Sequence, residues 1–241
     1  MNLIKKYYKE SLLLIVILMV TVKLLLIDYF IVSSRSMLPT MTIGSIVFVN
    51  KTTNSYKHND IIVYNNSDTA NKTIKRIVGI SNDTLKIMNT SVFINDTKAK
   101  ESPHIMHQYK YFDSSINNYR LKDISNIEIS KLTNKNKYKK LINTEALKFY
   151  GRNWTMDNLG SLWIPKKNHS IVITDNNFSL YQHIIEDETT LEYASVINKP
   201  YTFKNNYYFV MGDFRHHSRD SRGYGLIKET TILGKLLYTL Y

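Results

Sequence analysis

The chain of 241 residues has no cysteine. That absence excludes a disulfide scaffold, a thiol nucleophile and a cysteine-built zinc site. No helix-turn-helix pattern and no aromatic-basic RNA signature accompany the net charge of +12, so nucleic acid is not an expected partner. None of the seven histidines sits in a recognisable triad signature. His104 and His107 have an i, i+3 spacing that suits a metal, but no carboxylate completes a known pattern, and both read as solvated loop. There is no internal repeat.

What is present begins with an apolar N-terminal segment. Ser11 to Ile27 is apolar except for Thr21 and Lys23, and extension to Val32 gives a stretch able to cover about 30 Å of hydrocarbon. It is expected to form one transmembrane helix, with Lys23 one turn from the outer end and free to snorkel. Lys5, Lys6 and Lys9 precede it, which puts the N-terminus in the cytoplasm and everything after Val32 outside. The expected location is therefore the cell's inner (plasma) membrane, single-pass, with the lipid bilayer as partner of the basic chain. A signal peptide cleaved at Ser33–Ser34 is the competing reading; cutting there strips the flank of the serine motif described below.

Beyond the segment, short apolar β-branched runs at regular spacing predict an antiparallel β core: Ser45–Val49, Asp60–Tyr64, Lys72–Ile80, and a hairpin of Thr84–Ile87 with Ser91–Ile94 around Met88-Asn89-Thr90. The pattern weakens from about residue 98. Ile124–Leu132 is strand or helix, Lys131–Lys140 a solvated loop, Glu145–Tyr150 a helical turn, Ser170–Ile173 a strand and Ser179–Glu186 a short helix. Tyr207–Met211 is a strong strand stopped by Gly212-Asp213, and a Leu/Tyr-rich stretch, Ile227–Tyr241, closes the chain.

Three blocks carry chemistry: Ser34-Arg35-Ser36-Met37-Leu38-Pro39-Thr40, Lys75-Arg76-Ile77-Val78-Gly79, and the run Gly212-Asp213-Phe214-Arg215-His216-His217-Ser218-Arg219-Asp220-Ser221-Arg222. A serine hydroxyl needs a base. A lysine serves only when neutral, and burial among apolar side chains lowers its pKa from about 10.4 by penalising the ammonium. Ile74, Ile77 and Val78 flank Lys75, and strand alternation sends Lys75 and Arg76 to opposite faces without saying which faces the core. His216 and His217 are the best imidazole alternatives.

In this order, after an apolar segment, the three blocks resemble the type I signal peptidases, membrane-anchored serine proteases with a lysine base. The resemblance implies a mainly β, signal-peptidase-like antiparallel core with an inserted smaller lobe: 1–32 tail and anchor, 33–84 first part of the core, 85–202 inserted lobe, 203–241 second part of the core. It implies endoproteolysis at the end of the signal peptides of secretory preproteins, after small residues, with no metal or organic cofactor. Ser36 would be the nucleophile and Lys75 the base. The Ser34 hydroxyl and the Ser36 backbone N–H would form the oxyanion hole, Ser218 would bond the lysine amine, and Asp220 and Arg222 would brace the region. Asp213 and Arg215 would shape the turn, Pro39 and Gly44 would meet backbone requirements, and Val32, Met37, Met41 and Ile74 would wall pockets for small side chains or form core. Arg35 stands where many relatives have glycine, Phe214 where asparagine is common, and Ile80-Ser81-Asn82-Asp83 lacks a usual Pro-Gly. A serine-lysine protease acting on itself or on one dedicated partner, and a non-catalytic membrane-anchored binding protein, remain open at this point.

Overall fold

The structure, a computed structural model, describes residues 2–66, 71–190 and 193–241, leaving out the side chains of residues 2–6, 22 and 24. A helix, α1 (Asn2–Leu25), leads through one residue into β1 (Ile27–Ile31). There follow β2 (Ile46–Asn50), β3 (Ile61–Asn66), β4 (Asn71–Gly79), β5 (Thr84–Met88), β6 (Ser91–Ile94) and β7 (Thr97–Lys98). A long hairpin, β8 (Met106–Asp113) and β9 (Asn118–Ser125), runs into α2 (Asn126–Lys131). Short strands β10 (Lys139–Lys140), β11 (Ala146–Leu147) and β12 (Trp154–Thr155) precede β13 (Leu159–Trp163) and β14 (Ser170–Ile173). The chain then forms α3 (Asp175–Glu188), α4 (Tyr193–Val196), β15 (Lys199–Thr202) and β16 (Tyr207–Met211). It ends with α5 (Ser221–Tyr224), β17 (Ile227–Lys228) and β18 (Ile232–Leu240).

The protein is mainly β and its strands pair antiparallel. Seven strands lie in the order β1-β2-β18-β3-β4-β16-β17, drawn from the two ends of the chain, and the middle supplies a four-stranded sheet β13-β5-β6-β7 and a three-stranded sheet β10-β8-β9. All five residues of β16, Tyr-Tyr-Phe-Val-Met, are buried, so this strand has no solvent face and needs no polar alternation. Phe209 and Met211 of β16 join one apolar core with Leu85 and Ile87 of β5 and with Ile184 and Ile185 of α3. A second core, under β1, β2 and β3, contains Val32, Met37, Met41, Val47 and Val63.

Several expectations are corrected. The apolar segment does not stay helical to Val32: α1 ends at Leu25, and Ile27–Ile31 is an edge strand paired with Ile46–Asn50. β-Branched Ile27 and Ile31, with Tyr29 and Phe30, suit a pleated strand better than a helix. Among the described residues no helix is long and apolar enough to cross a membrane. The expected charge flank at Lys5 and Lys6 lies outside the described side chains. Ile124–Leu132 is both of the alternatives, split at Ser125, whose Oγ accepts from Glu128 N–H at 3.3 Å and so caps α2, while its own N–H donates to Glu128 Oε2 at 2.8 Å. Glu145–Tyr150 is no helical turn; Ala146 and Leu147 pair with Thr155 and Trp154. The helix expected at Ser179–Glu186 begins earlier, at Asp175, where Thr174 N–H donates to Asn177 Oδ1 at 2.8 Å.

Two turns show what the backbone asks of the sequence. In the 80–83 turn Asn82 takes φ 77°, the left-handed position that glycine fills in a Pro-Gly turn, while Ile80 N–H donates to Asp83 Oδ2 at 2.9 Å. Gly44 has φ 90° and open space around it, so its requirement is conformational rather than steric.

Candidate active site

Ser36 sits in a single 3-10 turn, Arg35–Met37, after Ser34 in extended conformation. The apolar residues of this segment drive its placement. Met37 and Met41 are buried in the second core, 1% and 0% exposed, which leaves the serine on the face toward β4. The turn is tied to the third block from below: Phe214 N–H donates to the Ser36 carbonyl at 3.0 Å. A Cβ on Gly212 would come within 2.5 Å of that carbonyl and 2.2 Å of Ser218 Oγ, so only glycine permits the approach.

Lys75 reaches this serine from the middle of β4. Its Nζ donates to Ser36 Oγ at 2.8 Å and to the Ile74 carbonyl at 3.1 Å. Lys75 is 3% exposed and, among the described residues, no carboxylate bonds it. Burial pulls its pKa down to about 8; the more distant charges of Asp220 and Asp213 hold it up in part, and Arg222 pushes it down. Ser34 Oγ lies 3.1 Å from Ser36 Oγ. Among the described residues the Ser36 hydroxyl bonds Ser34 and Lys75; neither His216 nor His217 bonds it.

The adjacent cation, Arg76, is also buried, 8% exposed, so alternation did not leave one of the pair in solvent. Its guanidinium grips the Asp213 carboxylate with two bonds of 2.7 and 2.6 Å and donates to the Asn59 carbonyl at 2.9 Å. Thr40 Oγ1 donates to the same carboxylate. Asp213 thus ties the serine turn to β4, a part that sequence reasoning gave only as turn-shaping. Asp220 and Arg222 form a second buried pair, Nε to Oδ1 at 2.8 Å and Nη2 to Oδ2 at 2.9 Å, while Asp220 Oδ2 also accepts from Gly212 N–H at 3.0 Å. Burial pushes the Asp220 carboxyl up, but Arg222 and these hydrogen bonds hold it below its ordinary value.

Ser218 departs from its expected role. Its hydroxyl is buried beside Asp220 without a hydrogen bond of good geometry, and the second bond of Lys75 goes to the Ile74 carbonyl instead.

A residue from the middle segment was missed. Glu101 accepts from Arg215 Nη1 at 2.7 Å and contacts His107 Nε2 at 3.2 Å. His107, expected in loop, is 1% exposed within β8; burial lowers its pKa to about 4 against the opposing pull of Glu101. Met106 N–H donates to the Asp213 carbonyl at 2.8 Å, so this segment holds the 213–215 turn by backbone as well as by charge. The signal for Glu101 was its isolation: it is the one carboxylate between Asp96 and Asp113.

Ser36 and Lys75 open onto a cleft of about 680 Å³. Of the four expected wall residues, Val32, Met37 and Ile74 line it, joined by Phe30 and Val63, while Met41 lies behind in the core. Lys72, His217 and Arg219 line it too. Among the described residues no three His, Asp or Glu side chains converge as a metal site would need.

A family model described as "Signal peptidase, peptidase S26" matches residues 4–241. The chain is 34% identical over 83 residues to signal peptidase I P of Bacillus subtilis subsp. natto, covering 33% of this chain and 45% of that protein. It is 25% identical over 224 residues to signal peptidase I of Bacillus amyloliquefaciens, covering 91% and 77%. The match spans about half the length of the Bacillus subtilis relatives. A crystal structure of a signal peptidase I from Enterococcus faecalis V583 superposes with a TM-score of 0.36 at 18% identity, covering 77% of this chain and 100% of that one.

Proposed function

Because this chain belongs to the peptidase S26 family of signal peptidases, we propose that it is a serine endopeptidase that removes signal peptides from exported preproteins, with Ser36 as nucleophile and Lys75 as general base. The observation that carries this reading is the 2.8 Å bond between a buried lysine amine and a serine hydroxyl. With a pKa of about 8, roughly a tenth of the lysine is neutral at pH 7, against one in a few thousand for a solvated lysine. The neutral amine takes the proton of Ser36 as Oγ attacks the scissile carbonyl, and the resulting ammonium returns it to the leaving amine. A water then cleaves the acyl-enzyme with Lys75 again as base. The Ser34 hydroxyl and the Ser36 N–H are the donors for the oxyanion. Asp213 with Arg76, and Asp220 with Arg222, hold the two turns in register; Ser218 packs against Gly212 beside Asp220. Val32, Met37 and Ile74 favour small residues before the cut.

The same reading places the protein in the plasma membrane, its N-terminus cytoplasmic and its catalytic part outside. Leu12 to Val20 of α1 are all exposed, and Tyr29 and Ile31 of β1 and Leu237, Tyr238 and Leu240 of β18 continue an exposed apolar surface. The apolar stretch Ser11–Leu25 is about 22 Å long, short of a hydrocarbon core of about 30 Å, so snorkelling of Lys9 and Lys23 and local thinning of the bilayer complete the crossing. The catalytic core comprises 33–84 and 203–241 together with β1, and 85–202 is a lobe inserted between them.

The test is cleavage of a model preprotein in detergent by the native chain, Ser36→Ala and Lys75→Ala, with the cut located by mass spectrometry. A cut after a small-x-small triplet, lost in both variants, is expected. Activity that survives Lys75→Ala would overturn the lysine base.

A further inference from the structure

The cleft around Ser36 is lined by Lys72, Lys75, His217 and Arg219 and, among the described lining residues, by no Asp or Glu. Its apolar wall comes from β1, the serine turn, β3 and β4; the 212–222 turn contributes only His217 and Arg219. A chain whose small residues lie on the apolar wall is therefore also bordered by these two cations, which come from the segment that gives no apolar lining. Arg219 is exposed and pairs with no carboxylate among the described residues. His217 lies 4.0 Å from Asp123, which partly offsets its charge when protonated. Lys72 is turned over the Phe30 ring at 4.9 Å, toward the apolar end. Arg35, exposed beside the nucleophile, adds a further positive charge.

We propose that the cleft selects substrates with carboxylate side chains in the first residues after the cut, and that Arg219 is the main determinant. This rests on the peptidase reading above and names the substrate class for that same site. Opposite charge attracts an acidic substrate segment and, with the same residues, a basic segment is repelled, so discrimination comes from both. The cations are solvated, which limits the effect to roughly tenfold between Glu and Lys at one position, and salt screens it as the Debye length shrinks from about 10 Å at 0.1 M to about 3 Å at 1 M.

The experiment uses the full chain in detergent and preproteins identical except for Glu, Gln or Lys at each of the first three positions after the cut, with kcat/KM measured at low and high salt. At one position or more, Glu is expected to exceed Lys about tenfold, with Gln between, and the spread is expected to shrink in about 1 M salt. Arg219→Glu should reverse the order, and Arg219→Lys should keep it. Equal rates for Glu and Lys, or a Glu preference that persists in Arg219→Glu, would overturn the proposal while leaving the peptidase intact. If the Gln substrate is not cut either, the peptidase reading itself fails and this one with it.

Discussion

Two neighbouring cations on β4, Lys75 and Arg76, are both buried, and the protein treats them in opposite ways. On the Arg76 side a carboxylate grips the guanidinium, and a second acidic side chain, Glu101, bonds Arg215 in the same turn. On the Lys75 side the nearest bonding partners are a hydroxyl and a carbonyl. A buried cation given a counter-ion stays charged and fastens the fold; a buried cation denied one drifts toward neutrality and becomes a base. The difference is made by where Asp213 points, not by the strand that carries both cations.

The contrast breaks most completely at the dyad. Ser36→Ala or Lys75→Ala should lower kcat/KM at least about a thousandfold, and in the native chain kcat/KM should rise with pH and level off above about 8, as the lysine loses its proton. On the other side of the strand the loss is in stability. Asp213→Ala leaves Arg76 buried and unpaired and should cost about 3–5 kcal/mol in chemical denaturation, while Arg76→Met with Asp213→Leu should recover much of it. Lys75→Met should do the reverse of Asp213→Ala. At pH 7 the folded state bears the cost of a buried ammonium, so removing it should stabilise by about 2 kcal/mol after the lost hydrogen bonds are counted. Because the folded pKa is depressed, that gain should be full below pH 8 and should fade as pH rises from 8 toward the unfolded value of 10.5. A smaller effect belongs to the turn beyond both cations: Asn82→Gly relieves a left-handed side chain and should change the unfolding midpoint by the equivalent of about 0.5 kcal/mol, with kcat/KM unmoved.

The strands that frame the dyad were legible because their chemistry is local. Ile46–Asn50, Ile61–Asn66 and Tyr207–Met211 are runs of β-branched and aromatic residues with few alternatives to a buried strand. The β8–β9 hairpin was not legible: Tyr119 to Lys122 are exposed on both faces, so no alternation marks the strand. The N-terminal segment misled at its end, since hydropathy cannot separate the last helical turn from an apolar edge strand. In the site, Ser36, Lys75, Asp220 and Arg222 stood in recognisable blocks. The bond from Glu101 to Arg215 joins residues 114 positions apart, and nothing in either local sequence names the other.

One residue, Leu26, separates α1 from β1, and five residues of β1 rise about 17 Å before the chain turns toward Ser36. β1 is hydrogen-bonded along its length to β2, so the link has no slack. In the membrane-anchored reading proposed above, the connection behaves as a gauge: the surface that grips α1 also sets the height at which the serine works. A substrate gripped by that surface must supply its own extended run of matching length, and lengthening or shortening β1 by two residues would shift the accepted run by the same step while keeping every side chain on its proper face.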